Sequence, residues 1–350
     1  MPTTLSSAKF INVAVAVIAF SGTNAPTRYL LARRHAHQHQ GNHFEFVGGK
    51  IETGETPRQA LLREVYEELG VQMTDNCWAR LGVICHDYGD QRVSLHVFYT
   101  QATAEQYTRL QGQGSEGQAL VWATRADISA GNYPLPAANT RIVDWLALPN
   151  VIGISRDIAA ATNALLTFDT WLDVYTHKLP QHAWLYVRLP SVLAQSDGTQ
   201  AYLAAWQALH TSRPDVTFLL SYQAVGQLAW YDCDHDHVVL HLNHHQLMGS
   251  TAQDLPPSCR YFASCHDANS LSKINQLAQT HTVMGAFLSP VLPTPTHPDA
   301  PTLGWQGFGH LAASSQVPIF ALGGIGIADI AAARAYDGYG VAGIRLLDAL

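Results

Sequence analysis

Hydrophobic and polar positions in the first 148 residues predict a mixed structure of strands and helices. A valine-rich apolar run over residues 11–20 is typical of a buried central strand. A turn follows, and residues 29–32 are expected to form the strand that pairs with it. Further strands are predicted over residues 78–85, 93–100 and 119–123, and a last helix over about residues 138–146. This order of elements predicts an α/β/α sandwich for the first domain.

The strongest helix signal lies within residues 49–71. Thr56 can cap the helix, Pro57 suits its first turn, and Gln59 stands three residues after the cap, as a capping box requires. Gly70 suits the left-handed residue that ends a helix. The helix should therefore begin at Pro57 and end before Gly70. Its apolar side carries Leu61, Leu62, Val65 and Leu69.

Three glutamates lie together on an adjoining side of this helix. Glu64, Glu67 and Glu68 are spaced i, i+3 and i+4, where like charges destabilise a helix by roughly 0.2 to 0.5 kcal/mol per pair. A bound cation would offset this repulsion, and Mg²⁺ prefers carboxylate oxygens while it keeps positions for water and phosphate. We therefore predict a Mg²⁺ site here, with Mn²⁺ as an alternative ion. A solvated acidic face relieved by Arg63 is the competing interpretation.

From about residue 149 onward, short apolar runs alternate with helical stretches. The eight predicted strands cover residues 151–155, 183–189, 216–221, 238–242, 261–265, 284–288, 318–322 and 340–344. Helices are predicted between most of them, over residues 200–211, 268–280 and 327–336 among others. Strands and helices that alternate in this way predict a (β/α)8 TIM-like barrel. The domains should therefore be residues 1–148 and 149–350.

Composition limits the classes of function. With 350 residues the chain is long enough for two cores, and its net charge of −7 argues against a general nucleic-acid-binding surface. Five cysteines without a CxxC pair fit reduced thiols in a cytosolic compartment. The start lacks a signal-peptide pattern, and the apolar residues 10–20 are too few to span a bilayer. We expect a cytoplasmic enzyme with a small-molecule substrate and no membrane contact, and the sequence leaves its oligomeric state open.

Residues 49–71 resemble the Nudix box of nucleoside-diphosphate-linked hydrolases at every defining position. Gly49 is followed by five residues and Glu55, then by seven residues and the run REVYEELGV that begins at Arg63. The preceding stretch, LARRHAHQHQGNHFEFVGGKIE, is similar to the MutT type of this family, with Val47 where MutT proteins have proline. The segments SEGQ, which contains Glu116, and PLPAAN, which ends at Asn139, also resemble MutT segments.

The MutT resemblance implies a set of functional residues. The implied Mg²⁺ ligands are the Gly48 carbonyl, Glu64, Glu67, Glu68 and Glu116. The implied catalytic residues are Arg63 and, as the general base, one of Glu64, Glu67 and Glu116. The implied nucleotide contacts are Arg34, Phe46, Lys50 and Asn139. Among these, Asn139 would read the purine edge and Phe46 would line the base pocket.

Three of these assignments have a purely structural alternative. Asn139 could only cap the last helix, Phe46 could be ordinary core, and Glu116 could be plain loop surface. If the resemblance holds, water attacks the inner diphosphate linkage of an oxidised purine nucleotide. The reaction would convert 8-oxo-dGTP into 8-oxo-dGMP and diphosphate, and so prevent mutagenic incorporation into DNA. The alternative substrates are ADP-ribose or a dinucleoside polyphosphate, because the box supplies diphosphate chemistry whatever group is attached.

The second domain resembles the thiamine-phosphate synthase and thiazole tautomerase superfamily. Residues 264–266, 289–298 and 318–325 are similar to three of its loops, and Gly323 with Gly324 would offer N–H groups to a phosphate. The positions that depart from the family pattern are Tyr186, Ser221-Tyr222, Gln246, Ser289-Pro290 and His297. We therefore expect a degenerate barrel without synthase activity. The alternative is a barrel that acts in the thiamine pathway or senses a phosphorylated thiazole or pyrimidine.

Two histidine-rich segments are further candidates for metal binding. His35, His37, His39 and His43 alternate before the box, and residues 232–245 read DCDHDHVVLHLNHH. The first segment has no cysteine or carboxylate at the same spacing, and the candidate ligands of the second would lie along one strand and its flanking loops. We expect a polar loop at the mouth of a pocket for the first segment and a solvated loop for the second.

Overall fold

A computed structural model describes residues 9–23, 25–35, 41–74, 78–156, 168–188, 196–225, 237–294, 299–344 and 346. The chain forms two compact units, Met1–Leu148 and Pro149–Leu350, and each has its own hydrophobic core. The predictions about His37, His39, residues 232–236 and His297 lie outside the described residues. Both parts of the predicted fold class are confirmed, as the two units show in turn.

A mixed sheet organises the first unit. Its strands are β1 Lys9–Phe20, β2 Arg28–Arg33, β3 Phe44–Glu45, β4 Val47–Lys50, β5 Ala79–Asp87, β6 Gln91–Gln101, β7 Gly112–Gln113 and β8 Ala119–Thr124. The hydrogen-bonded order is β5-β6-β1-β2-β8-β7, with β3 paired to β2 and β4 paired to β1. The apolar strand β1 is central, and it pairs parallel with β6 and antiparallel with β2 and β4. The glycine pair within β4 therefore lies in the middle of the sheet.

Helix α1, Pro57–Leu69, begins and ends where the sequence predicts. Thr56 and Gln59 form the reciprocal capping box, and Gly70 ends the helix with a φ of 63°. The buried side chains of α1 belong to the same core as those of β1. The other helices described in this unit are α2 Ala104–Arg109, α3 Arg125–Ser129 and α4 Thr140–Trp145. A 3-10 turn, Ala137–Asn139, precedes α4, so the predicted last helix starts in this tighter form.

The second unit is a closed barrel of eight parallel strands. They are β9 Val151–Ile154, β10 Trp184–Val187, β11 Thr217–Ser221, β12 Val238–Leu242, β13 Arg260–Cys265, β14 Thr282–Leu288, β15 Ile319–Leu322 and β16 Gly340–Gly343. Its described helices are α5 Phe168–Lys178, α6 Ser196–Ser212, α7 Tyr222–Val225, α8 His244–Gly249, α9 Ala268–Leu277, α10 Gly304–Ala312 and α11 Ile330–Ala335. Strand β16 pairs with β9 and closes the barrel. All eight predicted strands are present, with ends shifted by a few residues.

Aromatic rings fill the interior of this barrel. Tyr186, His241 and Phe287 come from the alternate strands β10, β12 and β14, and their ring centroids lie 4.2 to 6.0 Å apart. Alternate strands supply each layer of side chains in barrels of this type. His241 is 2% exposed and its Nε2 lies 3.0 Å from the Ser264 hydroxyl. The strand predicted over residues 238–242 is therefore confirmed as β12, and His241 within it is buried, so the solvated-loop interpretation of the histidine-rich segment does not hold for this residue.

One expectation from composition concerns the cysteines. Cys85 and Cys265 are free thiols, but Cys259 is disulfide-bonded. The expectation of reduced cysteines throughout is therefore wrong for Cys259. Among the helices of the described ranges, none has both the length and the apolar character needed to cross a membrane.

Candidate active site

Two cavities of the first unit share part of their lining. The larger one, named here the apolar cavity, has a volume of about 430 Å³. Its apolar lining is Ile11, Val13, Val15, Phe46, Val93, Leu95, Pro136 and Ala138, and its polar lining includes Tyr88, Gln91 and Asn139. The smaller one, named the acidic cavity, has a volume of about 320 Å³ and contains Glu64, Glu68, Glu116 and Gln118. Both are lined by Val13, Arg34, Glu45, Gly48 and Lys50.

The glycine pair of β4 allows close contacts in the middle of this site. Gly48 has a φ of 150°, and a Cβ there would lie 2.0 Å from the Ala14 carbonyl oxygen. A Cβ on Gly49 would lie 2.2 Å from the Glu64 carboxyl group. Any side chain at either position would therefore separate β4 from β1 or displace Glu64.

Glu68 is held by several hydrogen bonds at the centre of the acidic cavity. Its Oε1 accepts the Gly48 N–H at 3.1 Å, and its backbone carbonyl accepts the Ser115 N–H at 2.7 Å. Gln118 donates to that carbonyl at 3.1 Å and accepts the Glu116 N–H at 3.1 Å. The loop that carries Glu116 is thus tied to the end of α1. Burial, with nearby carboxylates as a smaller cause, raises the pKa of Glu68 to about 8.

Arg63 uses all five of its N–H donors on neighbouring groups. Its Nε donates to Glu55 at 2.8 Å, and its Nη2 donates to Glu55 at 2.9 Å and to the Lys50 carbonyl at 2.9 Å. Its Nη1 donates to Glu64 at 2.8 Å and to Glu67 at 3.1 Å. A guanidinium has five such donors. Arg63 therefore links the carboxylates of Glu55, Glu64 and Glu67 to β4 through the Lys50 carbonyl. Its side chain lines neither cavity.

The pKa values of these carboxyl groups follow from the network. The hydrogen bonds from Arg63 lower the pKa of Glu55 to about 2. Burial raises the pKa of Glu64, and its contacts with Arg63 oppose that shift. Glu67 differs from both, since its side chain is 48% exposed and lies outside the lining of the acidic cavity. Glu64, Glu68 and Glu116 thus line the acidic cavity together, whereas Glu67 lies outside the lining and shares the Arg63 Nη1 donor with Glu64.

The acidic cavity has the donor chemistry of a site for a divalent cation. Its carboxylates are hard oxygen donors of the kind that Mg²⁺ prefers, and the Gly48 residue lines the same space. Burial is the main cause of the raised pKa values of Glu64 and Glu68, because it disfavours the ionised carboxylates, and a bound cation would favour that form. Within the described ranges, no group of three or more His, Cys, Asp or Glu side chains already has the spacing of a metal site. The carboxylates of the acidic cavity therefore fit a divalent cation by their donor chemistry. One of them, Glu64, accepts a hydrogen bond from Arg63.

Glu45 is a candidate functional residue that the sequence analysis missed. It lines both cavities and forms an ion pair with Arg34. Burial raises its pKa, and Arg34 opposes the shift. The available signal was an acidic residue between Phe44 and Phe46, directly before the glycine pair. The contact itself depends on the pairing of β2 with β3, which the sequence did not reveal.

Asn139 and Phe46 both lie at the apolar cavity. Asn139 is 8% exposed, and its side chain makes no capping hydrogen bond to the described start of α4. The alternative that Asn139 acts as a side-chain cap is therefore wrong. Phe46 lies between β3 and β4, is 2% exposed and also lines the cavity, so it is both core and cavity wall. The contacts of these residues with a nucleotide stay predictions.

In the barrel, Gly323 and Gly324 follow β15 with φ values of 97° and 68°. A Cβ on Gly323 would lie 2.9 Å from Pro290, and one on Gly324 would lie 2.6 Å from the Pro293 carbonyl oxygen. The pair thus allows the chain after β14 to approach closely. Its proposed phosphate contact stays a prediction.

Comparison with known families gives a separate match for each unit. A NUDIX domain model matches residues 17–145, and a thiamine monophosphate synthase model matches residues 230–347. The first match contains the lining of the acidic cavity except Val13 and the lining of the apolar cavity except Ile11, Val13 and Val15. The second match covers β12 to β16 of the barrel.

Three characterised relatives match the first unit. The 8-oxo-dGTP diphosphatase of Proteus vulgaris is 35% identical over 112 residues, which are 32% of this chain and 95% of the relative. That of Escherichia coli K12 is 31% identical over 128 residues, 36% of this chain and 89% of the relative. The CTP pyrophosphohydrolase of Escherichia coli K12 is 35% identical over 136 residues, 39% of this chain and 90% of the relative. The chain therefore belongs to the Nudix hydrolase family, and its second unit is a thiamine-monophosphate-synthase-like barrel.

Proposed function

We propose that the first unit hydrolyses oxidised purine nucleoside triphosphates, with 8-oxo-dGTP as preferred substrate and 8-oxo-dGMP and diphosphate as products. The observation that carries this proposal is the side-chain amide of Asn139. It is almost buried at the apolar cavity, and among the described residues it has no hydrogen-bond partner. An amide that lines a cavity and makes no hydrogen bond to the protein has its donor and its acceptor available to a ligand. A purine edge carries both the donors and the acceptors to pair with them.

The two cavities suit the two halves of a nucleotide. The apolar cavity would hold the base against Phe46, with Asn139 at its edge. The acidic cavity would hold the polyphosphate, because a cation there changes the sign of the local field. Lys50 belongs to the lining of both cavities, so its ammonium group can meet a phosphate between them. Arg34 lies on the same shared wall, where Glu45 orients its guanidinium.

The catalytic roles follow from which carboxylates line the acidic cavity. Glu64, Glu68, Glu116 and the Gly48 carbonyl would hold Mg²⁺, which supplies charge neutralisation and activates water when bound. A carboxylate that is not needed as a ligand accepts the proton of the attacking water. Glu64 and Glu116 line the cavity and Glu67 does not, which favours one of the first two as the base. Arg63 acts through Glu64, which it holds in place.

The test is diphosphate release from 8-oxo-dGTP, dGTP, CTP and ADP-ribose, measured with Mg²⁺ and with EDTA. We expect 8-oxo-dGTP to be preferred and EDTA to abolish turnover. Glu68→Gln should remove activity on every nucleotide, whereas Glu105→Gln on exposed α2 should leave it unchanged. A preference for ADP-ribose, or activity that survives EDTA, would refute the proposal.

Base selectivity has its own test in Asn139→Ala. The variant removes the amide but leaves the acidic cavity intact, so kcat/KM for 8-oxo-dGTP should fall about 10-fold or more while dGTP changes little. Such selectivity would let the enzyme clear oxidised triphosphates from the cytoplasmic nucleotide pool before polymerisation. Equal losses on both nucleotides would mean that Asn139 does not read the oxidised base.

A pyrimidine nucleoside triphosphate is the second candidate substrate. One relative, at 35% identity over 90% of its length, is a CTP pyrophosphohydrolase. The chemistry at the acidic cavity would be the same, and only the contacts in the apolar cavity would differ. Turnover of CTP above that of 8-oxo-dGTP would select this candidate.

A further inference from the structure

The hydroxyl of Tyr88 contacts the turn that carries Asn139. Tyr88 Oη accepts the N–H of Ala138 at 3.2 Å. Ala138 is the second residue of the 3-10 turn Ala137–Asn139, where backbone N–H groups have no partner within the turn. Tyr88 thus satisfies a backbone donor directly beside Asn139. Its side chain is also part of the apolar cavity lining.

The hairpin between β5 and β6 holds Tyr88 in place. Asp87 accepts the Gly89 N–H at 2.8 Å and the Arg92 Nε–H at 2.7 Å. The Tyr88 N–H donates to the Gln91 carbonyl at 2.9 Å, and Gly89 takes a φ of 90° that favours glycine. These contacts make a well-defined turn. The Tyr88 ring therefore reaches Ala138 from a hydrogen-bonded hairpin turn.

The segment that contains Asn139 is held from two directions. At its start, the Phe44 N–H donates to the Pro134 carbonyl at 2.9 Å. Near its end, Tyr88 binds Ala138, and the Asn139 N–H donates to the Pro136 carbonyl at 2.8 Å. The Asn139 side chain has no described partner of its own. Its direction is therefore set by the backbone of this turn.

We propose that Tyr88 is a positioning residue for base selectivity, and this inference rests on the proposed function. Its hydroxyl accepts the backbone N–H of Ala138, which keeps the side-chain amide of Asn139 aligned with the edge of the bound base. An amide held in one orientation discriminates between bases better than one that can turn, because no binding free energy is used to order it. Tyr88 acts through Asn139 and does not itself take part in the chemistry.

The experiment compares Tyr88→Phe with Tyr133→Phe. The first variant keeps the ring in the cavity and removes only the hydroxyl, and the second removes a tyrosine hydroxyl whose ring packs on Phe44 near the same segment. Tyr88→Phe should lower kcat/KM for 8-oxo-dGTP about 5- to 10-fold and change that for dGTP less than twofold. Tyr133→Phe should change neither. Equal losses on both nucleotides, or no loss with Tyr88→Phe, would overturn the proposal.

The double variant with Asn139→Ala separates positioning from an independent effect. If Tyr88 acts through Asn139, the Tyr88→Phe change should have no further effect on selectivity once Asn139→Ala is present. Additive losses would show that Tyr88 works by another route and would contradict the proposal.

Hydrogen exchange without nucleotide keeps this test distinct from that of the proposed function. Residues 134–145 should exchange faster in Tyr88→Phe than in wild type, and unchanged exchange would refute the contact. If wild type prefers another nucleotide, the proposed function fails. The selectivity ratio is then measured on that preferred nucleotide, and the same loss in Tyr88→Phe still supports positioning.

Discussion

The acidic cavity of the first unit and the interior of the barrel use titratable groups in opposite ways. In the cavity, Glu64 and Glu68 have raised pKa values and line open space. In the barrel, His241 is packed against rings and bonded to Ser264, and burial lowers its pKa to about 3. Carboxyl groups whose ionised form is disfavoured by burial lie where a bound cation can favour that form, whereas a neutral packed imidazole adds to the core.

The same contrast appears at the positions where the barrel departs from the family it resembles. Tyr186 is one of these positions, and its ring centroid lies 4.2 Å from that of His241. The space that would be needed for a ligand is thus used for packing in this layer. In the first unit, by contrast, Gly49 keeps a side chain out of the space beside Glu64. We therefore expect nucleotide chemistry in the first unit and stability from the barrel interior.

Glu64→Gln should have the largest effect, because it removes one carboxylate from the acidic cavity without changing its size. We expect kcat for the preferred nucleotide to fall about 10²- to 10⁴-fold. Steady-state diphosphate release measures this, with His266→Ala in the barrel as the control that should keep full activity. Loss of activity in His266→Ala would break the comparison, because it would place the chemistry in the barrel.

Phe287→Ala should destabilise the barrel by about 3 to 5 kcal/mol, because it opens a cavity in the interior layer. Phe287 is fully buried, whereas Phe168 is 38% exposed, so Phe168→Ala is the matched control. Hydrogen exchange of peptides from β10 to β14 should accelerate only in Phe287→Ala. Nucleotide hydrolysis should stay within about twofold, because the first unit has its own core. A parallel loss of hydrolysis would show that the units depend on each other.

Acid should weaken the barrel through His241. Its pKa of about 3 in the folded protein lies below the ordinary value of 6.5, so only the unfolded chain takes up a proton between these values. This stability is present above about pH 6.5 and is lost as the pH falls towards 3. From pH 7.5 to 5.0 the free energy of unfolding should fall by about 2 kcal/mol. Urea unfolding at both pH values measures the loss, which His241→Gln should remove and His177→Gln on exposed α5 should not.

Thr56→Ala should have the smallest effect, because the cap of α1 is exposed. Loss of the hydroxyl leaves the Gln59 N–H without its partner and should cost about 1 kcal/mol. Hydrogen exchange should rise in the first turn of α1 and stay unchanged in the barrel. Thr56→Ser should restore the wild-type exchange, and a variant that Ser fails to rescue would argue against capping as the cause.

Local signals in the sequence predicted α1 completely and the strands closely. Thr56, Gln59 and Gly70 act within four residues of their partners, and such contacts form whatever the rest of the fold does. The eight barrel strands were found for the same reason, since a buried parallel strand needs a continuous apolar run. The strand that contains His241 was predicted, but the packing of its ring was not, because that packing depends on rings from β10 and β14.

Contacts between distant parts of the chain could not be predicted in the same way. Pairing of β2 with β3 places Glu45 beside Arg34, and the hairpin turn places Tyr88 beside Ala138, 50 residues away. The exclusion of Glu67 from the cavity also depends on how α1 is rotated against β4, since its spacing matches that of its neighbours. None of these contacts joins residues at a characteristic separation in sequence, so the sequence alone does not predict them.

The sequence by itself determined the two units, the capped helix and the type of chemistry, because hydrophobic period, caps and carboxylate spacing are local properties of the chain. Only the tertiary structure decided which carboxylates share a cavity, that Arg63 links Glu64 to Glu55 and β4, and that the Asn139 side chain is left without a described partner. Packing brings these groups together across the sheet, and the free energy of burial is a property of the assembled fold.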